Sequence, residues 1–402
     1  GRTLDLTGAA PRSLAGFDPG GVGVMDRLGG LGRAGSRTIG LDIDRGALKA
    51  VQISGSAGDL TLRHVGYHRL PPGAVVDGEV ADVEVVGAEI QEFWSSHSFK
   101  GKSVNLGVAN GRVVVRLLDF PRMEAEDLKS AITFEAQDHI PMPLDEAVLD
   151  YVVLGPQAEG SDLDRILLVA AHKDMIGGYT AALRAGGLKP AGIDVKALAL
   201  TRSALPETFF DEGATLLLDI GTELTNLAIT QGSNPTLTRF IPSGLDRFVE
   251  AVSEAADLPE EQAEKEALNP RVRLGSDPEV TDAPGLEEEE EEEEEEFDSA
   301  LVYDVRRGLE EAVQALAEDV HRSIEYHHSQ PGTSEVSQAF VSGEGALIPG
   351  LDAYLRELLG VSTHRANPVA KLGSNKSNVS DEQLTAMEPV LAVALGLAME
   401  DE

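Results

Sequence analysis

The chain has no cysteine, which excludes disulfides, thiolate metal sites and catalytic thiols. Aromatic residues are scarce at 4%, and Trp94, the single tryptophan, reads as core packing rather than as a stacking platform for bases. Positive charge is also short. Lys and Arg number 33 against 69 Asp and Glu, a formal net charge of −36, which disfavours direct binding to nucleic acid or to an anionic membrane. No apolar run approaches the roughly 18 residues that a membrane span needs, and no charged-then-apolar leader is visible. These absences together read as a soluble cytoplasmic protein.

What is present is enough chain, 402 residues, for two or more domains with sizeable cores. Residues 1–37 are Gly-rich, carry no sustained helical or strand period, and read as a disordered tail. Ten consecutive glutamates run from Glu287 to Glu296. Their mutual repulsion forbids burial, so the whole segment from Asn269 to Asp298 reads as a disordered, solvated insertion.

Two stretches share one plan. Leu216-Leu217-Leu218-Asp219-Ile220-Gly221-Thr222-Glu223-Leu224-Thr225-Asn226-Leu227-Ala228-Ile229 is an apolar strand, an acid, a Gly-Thr turn and a second apolar strand, which predicts a hairpin from a buried sheet. The segment from Ile39 to Ile53 repeats it, with Leu41-Asp42-Ile43 before the turn. Such turns can aim successive N–H groups at phosphate oxygens while the preceding acid holds a hydrated Mg²⁺. Further along, Ala339-Phe340-Val341-Ser342-Gly343-Glu344-Gly345 predicts a strand and a Gly-x-Gly turn opening a helix, where a nucleotide could approach the backbone. Order and spacing of the three resemble the phosphate-1, phosphate-2 and adenosine motifs of the actin-like ATPase superfamily.

Between them, Arg112 to Ala171 changes pattern, with strands around a helix from Glu124 to Ile140 that Pro141-Met142-Pro143 ends. Several local runs narrow the resemblance: Leu70-Pro71-Pro72-Gly73-Ala74-Val75-Val76-Asp77-Gly78-Glu79, Phe134-Glu135-Ala136-Gln137-Asp138-His139-Ile140-Pro141-Met142-Pro143-Leu144, Arg184-Ala185-Gly186-Gly187-Leu188 and Ser323-Ile324-Glu325-Tyr326. With these the chain, from about Thr38 to Met399, resembles the PilM family, the actin-like cytoplasmic proteins of type IV pilus and related secretion machines, which are similar to the cell-division protein FtsA.

The resemblance implies an α/β, actin-like fold: two RNase H-like domains around a nucleotide cleft, with an inserted α+β (SHS2) subdomain in the first half. The expected divisions are a tail (1–37), the first half in two parts (38–111 and 172–213), the inserted subdomain (112–171), the second half (214–350, interrupted at 269–298) and C-terminal helices returning to the first half (351–402). It also implies ATP and Mg²⁺ as cofactors. By position, Asp42 and Asp219 match the metal-side acids, acting through water. Asp44, Arg45, Gly46 and Lys49 occupy the first phosphate turn and its strand, Gly221, Thr222, Thr225 and Asn226 the second, and Gly343, Glu344 and Gly345 the adenosine turn. Glu264 matches a base-proximal acid, and Gly244, in the turn after Ile241, completes the set.

The first turn departs from the family pattern of glycine followed by serines. Asp44 adds negative charge beside the phosphates and the hydroxyl donors are gone, while an inward-turned Arg45 would compensate. Glu344 likewise stands where the family has glycine. No residue stands out as a general base.

The implied function is a nucleotide-binding scaffold on the inner face of the membrane assembly platform. Its expected partners are the N-terminal tail of a PilN-like membrane protein and other platform components. The tail is expected in a groove beside the inserted subdomain lined by Ala136, Ile140, Met142 and Leu144. An active ATPase driving an assembly cycle, with weak hydrolysis, and an FtsA-like divisome tether are the competing readings. The acidic end Leu395-Gly396-Leu397-Ala398-Met399-Glu400-Asp401-Glu402 falls short of the basic amphipathic helix that a membrane tether uses.

Overall fold

The computed structural model describes residues 37–55, 58–157, 160–205, 213–275 and 299–399. The expected disordered tail up to residue 36 and the expected disordered run 276–298 lie outside them.

The chain opens with an antiparallel meander, β1 (Arg37–Ile43), β2 (Ala47–Ser54) and β3 (Leu60–Arg69). Its register sets Asp42 directly opposite Lys49. A short ladder, β4 (Val75–Val76) with β5 (Glu79–Val80), leads to α1 (Val83–His97). The Asp82 carboxylate caps that helix by accepting from the Glu84 and Val85 N–H groups at 3.0 Å. Next, β6 (Ser103–Val108) adds parallel to β1.

A separate three-stranded antiparallel sheet follows, built from β7 (Val113–Pro121), β8 (Ala147–Pro156) and β9 (Leu163–His172), with β9 central. Helix α2 (Ala125–His139) covers it through Leu128, Ile132 and Ala136, spaced i, i+4, i+8. The chain then rejoins the first sheet through α3 (Lys173–Ala185) and β10 (Lys189–Val195), parallel to β6, and continues as α4 (Lys196–Ala204).

The meander repeats as β11 (Ala214–Ile220), β12 (Thr225–Gln231) and β13 (Asn234–Ile241), with Asp219 opposite Asn226. Helices α5 (Leu245–Ala256), α6 (Glu260–Ala267) and α7 (Ser299–His328) pack beside it. Strand β14 (Val336–Ser342) pairs parallel to β11, and after α8 (Leu351–Leu359) β15 (Ser362–Arg365) pairs parallel to β14. The chain ends with β16 (Leu372–Asn375), which extends the first sheet beside β3, then α9 (Asp381–Met387) and α10 (Ala392–Ala398).

The two large sheets have the same plan. Strand order is β16-β3-β2-β1-β6-β10 in one and β13-β12-β11-β14-β15 in the other, and apart from β16 each is an antiparallel meander extended by two parallel strands. Strands β2 and β11 are buried along their whole length; β11 reads as a near-continuous apolar run for that reason, while β2 also carries Lys49 and Gln52 into the interior. Helix α4 joins the halves, because Ala197, Leu198 and Leu200 share one core with Leu217, Ala228 and Phe340 of the second sheet.

Four expectations change. Val272 and Leu274 are buried in the core of the second half, and the Leu274 N–H donates to the Pro349 carbonyl at 3.1 Å. The solvated insertion therefore does not begin at Asn269, because that stretch supplies core. Helix α8 and strand β15 belong to the second half, so the return to the first starts later than residue 351. On α1 the inward residues are Val86, Ile90 and Phe93. Trp94 lies half-buried against Phe99, with ring centroids 4.7 Å apart and its indole N–H given to the Gly101 carbonyl. Finally, Ala136 and Ile140 are buried between α2 and its sheet. They cannot line a groove, because the face that spaces them four apart is the face that α2 buries.

Candidate functional site

The tips of the two meanders meet where the halves face each other. Backbone hydrogen bonding positions them: the Asp44 N–H donates to the Ala47 carbonyl at 3.0 Å, closing the first turn, and the Gly221 N–H donates to the Leu224 carbonyl at 3.0 Å, closing the second. The start of α5 is pinned to that second turn, since the Leu245 and Asp246 N–H groups donate to Gly221 and Thr222 carbonyls at 2.9 Å. A side chain on Gly244 would strike the Gly221 carbonyl, with a Cβ only 2.5 Å from it. The adenosine-type turn abuts the same place. Gly343 takes φ +85°, a left-handed value that favours glycine, and a side chain there would meet the Ile220 backbone. Gly345 packs on the Ile220 side chain.

The buried charges form one connected group. Lys49 Nζ lies 3.1 Å from Asp42, 3.7 Å from Asp44 and 2.9 Å from Glu344. Lys196, the first residue of α4, lies 2.7 Å from the other Asp42 oxygen and donates to the Ile43 carbonyl at 3.0 Å. Asp219 accepts from Asn226 Nδ2 at 3.2 Å and from Ser342 Oγ at 3.0 Å.

Burial works against ionisation of Asp42, but Lys196 and Lys49 hold it down to about 2. Burial acts equally against Lys49, yet Asp42, Glu344 and Asp44 hold its ammonium well above the usual lysine range. Asp219 is raised by burial, and so is Glu344, one of whose buried oxygens has no hydrogen-bond partner among the described residues.

The remaining expected residues lie around this centre. Thr225 gives its hydroxyl to the Ser243 carbonyl at 2.7 Å, so it holds the turn together. Glu264 pairs with Arg69 of β3 at 2.6 Å across the mouth of the cleft. Arg45 does not turn inward. Its guanidinium pairs with Asp246 and lies 3.9 Å from Glu223, because the opposite turn and the first turn of α5 set those carboxylates beside it.

Lys196, Arg69, Asp246 and Ser342 were not anticipated. Lys196 left a signal: it is the lone cation between Ile193-Asp194-Val195 and an Ala-Leu run, where a charge without a buried partner would be costly.

Mg²⁺ with ATP, the group implied for this cleft, does not fit this arrangement. Both Asp42 oxygens face ammonium groups, so Asp42 is held as half of an ion-pair network rather than as a metal-side acid. The turn N–H that would meet a phosphate, that of Thr222, faces Asp44 Oδ2 at 3.4 Å. A Cβ on Gly221 would lie 2.5 Å from that same oxygen. Among the described residues no cluster of three or more His, Asp or Glu is set to hold a metal ion.

Against known families, the model of the type IV pilus assembly protein PilM matches residues 40–280 and 277–402. The chain belongs to the PilM family. In agreement, a chain of the solved PilM-PilN type IV pilus biogenesis complex superposes with a TM-score of 0.73 at 27% identity, over 90% of this chain and 97% of that one. Cell division protein FtsA of Bacillus subtilis (strain 168) is 20% identical over 358 residues, 82% of this chain and 78% of that protein. EutJ of Carboxydothermus hydrogenoformans superposes with a TM-score of 0.49 at 13% identity, over 90% and 89%. The fold is actin-like, as the shared plan of the two sheets already indicated. This PilM-family chain carries the cleft of that fold with its charged groups paired to one another.

Proposed function

We propose that the chain is a scaffold of the type IV pilus assembly platform, held at the cytoplasmic face of the membrane by the N-terminal tail of a PilN-like membrane protein. The observation that carries this is the likeness to the PilM chain solved in complex with PilN, which extends over nearly the whole of both chains. Among the described residues no helix is long and apolar enough to cross a membrane, and the PilN-like partner supplies the attachment in this reading. Scaffolding is favoured over an ATP-driven cycle by the site itself: its phosphate-facing groups are engaged with one another, the Thr222 N–H with Asp44 and the Lys49 ammonium with Asp42 and Glu344.

The tail is placed at the edge of the three-stranded sheet. Met142 and Leu144 are half-buried there, just past α2. Pro141 beside them lines a cavity of about 300 Å³ that also takes in Val113, Val115, Val195 and Phe240. Ala136 and Ile140 contribute by supporting α2 from inside.

The experiment is calorimetric titration of the chain with a synthetic peptide of the PilN-like tail. Met142→Arg should weaken binding by about 1–3 kcal/mol, the cost of a disrupted apolar anchor, with an unchanged circular dichroism spectrum. Equal affinity in both proteins would remove the tail from this edge.

A further inference from the structure

Five residues of the first half reach across to the second, and each ends on a group that an anionic ligand would otherwise use or displace. Asp44 Oδ2 faces the Thr222 N–H at 3.4 Å. Gly46 sits against the Thr222 hydroxyl. Arg45 pairs with Asp246, Lys49 with Glu344 at 2.9 Å, and Arg69 with Glu264 at 2.6 Å. The contacts run along the whole cleft, from the buried turns to the exposed mouth.

A turn whose N–H points into a cleft is an anion site, and a buried ammonium demands a counter-anion. Here both demands are met from within the chain. Lys49 is only 2% exposed, and three carboxylates already surround it. The Thr222 N–H faces a carboxylate oxygen. Four buried or half-buried carboxylates, those of Asp42, Asp44, Asp219 and Glu344, face two ammonium groups, those of Lys49 and Lys196. An entering triphosphate would bring more negative charge into a place that already holds an excess of it.

We propose that Asp44, at the phosphate turns, and Glu344, on the adenosine-type turn, act as built-in anions of the cleft, so that the two halves are clasped by the chain itself and stay closed without nucleotide. A nucleotide would then compete with the protein's own carboxylates, and neutralising those carboxylates would make the cleft receptive. The inference concerns the cleft alone and stands apart from the partner tail.

The test has two readouts on the full chain. In calorimetry with Mg-ATP, the wild type should show no binding below millimolar concentration, and Asp44→Gly combined with Glu344→Gln should bind at least tenfold more tightly. In hydrogen exchange without nucleotide, the Thr222 amide should be protected in the wild type and should exchange at least tenfold faster in Asp44→Gly. Asp44→Asn keeps size and backbone preference, and it serves if the glycine variant is poorly folded. Mg-ATP binding to the wild type with a Kd below millimolar would overturn the proposal. So would equal affinity in the double variant, or a Thr222 amide that exchanges freely in the nucleotide-free wild type.

Discussion

Asp42 and Glu344 face the same ammonium from opposite halves of the molecule, yet burial and pairing leave them with opposite pH behaviour. Asp42 is held down to about 2 against burial by Lys196 and Lys49, so it contributes stability that is present above its ordinary value of 3.8 and is lost as the pH falls toward 2. Glu344 is raised by burial, with Lys49 only partly offsetting it. Its native form holds a proton more tightly than the unfolded chain does, so between 4.5 and its raised value stability declines as the pH rises. Asp219 adds to the same decline. Glu344→Gln should therefore flatten the stability profile above pH 4.5, as read by thermal melts from pH 4 to 8. An unchanged slope would show that Glu344 is not the group whose ionisation is being resisted.

At the scale of elements, periodicity locates a face, and the contacts decide what that face touches. Helix α2 has Ala136 fully buried and Phe134 about 75% exposed, two residues apart and on opposite sides. The Pro141-Met142-Pro143 run stops α2 at His139, as proline chemistry predicts, but the apolar residues around it divide between a packed core and an edge. The stretch before the glutamate run behaves similarly. Its polar and proline content reads as loop, while Val272 and Leu274 are anchored in the second core. Removing residues 276–298 should leave the thermal midpoint nearly unchanged, since added loop length costs little. Extending the deletion back to 269 should cost a further 4 kcal/mol or more, at about 2–5 kcal/mol for each lost buried side chain. Urea denaturation of the two deletions compares them directly, and equal midpoints would contradict the anchoring.

Over the whole molecule, the C-terminal helix closes the first half. Helix α10 is buried over its whole length and lies between β1 and α4. Thr38 Oγ1 donates to the Ala398 carbonyl at 2.6 Å, and Asn105 Nδ2 to the Leu397 carbonyl at 3.1 Å. Two glycines permit the approach: a side chain on Gly396 would enter the Ala199 backbone, and one on Gly40 would enter that of Ala394. Because backbone cannot yield as a flexible side chain can, Gly396→Val should destabilise by about 3 kcal/mol or more, measured as a shift in the urea midpoint. As α4 also carries Lys196 into the cleft, the same variant should loosen the Lys196 contact with Asp42. Wild-type stability in Gly396→Val would mean that α10 can withdraw without cost.

Local pattern predicts the two hairpins and the acid at each tip, and strand pairing in the fold extends each hairpin to a meander. A strand buried on both faces is mostly apolar, and an aspartate ending such a run shows without any partner in view. Local pattern also predicts the helix stops and the third, glycine-bearing turn, because proline and glycine act on their own backbone. How the charges pair depends on long-range contacts. Lys196, Arg69 and Asp246 come from segments distant in the chain, and local pattern carries no information about which carboxylate a cation will meet. The sign of the site followed from that pairing. Asp44 and Glu344 appeared in the sequence as two departures from a phosphate-binding pattern, and folding brought both carboxylates to Lys49, where their charge satisfies the cation from within the chain.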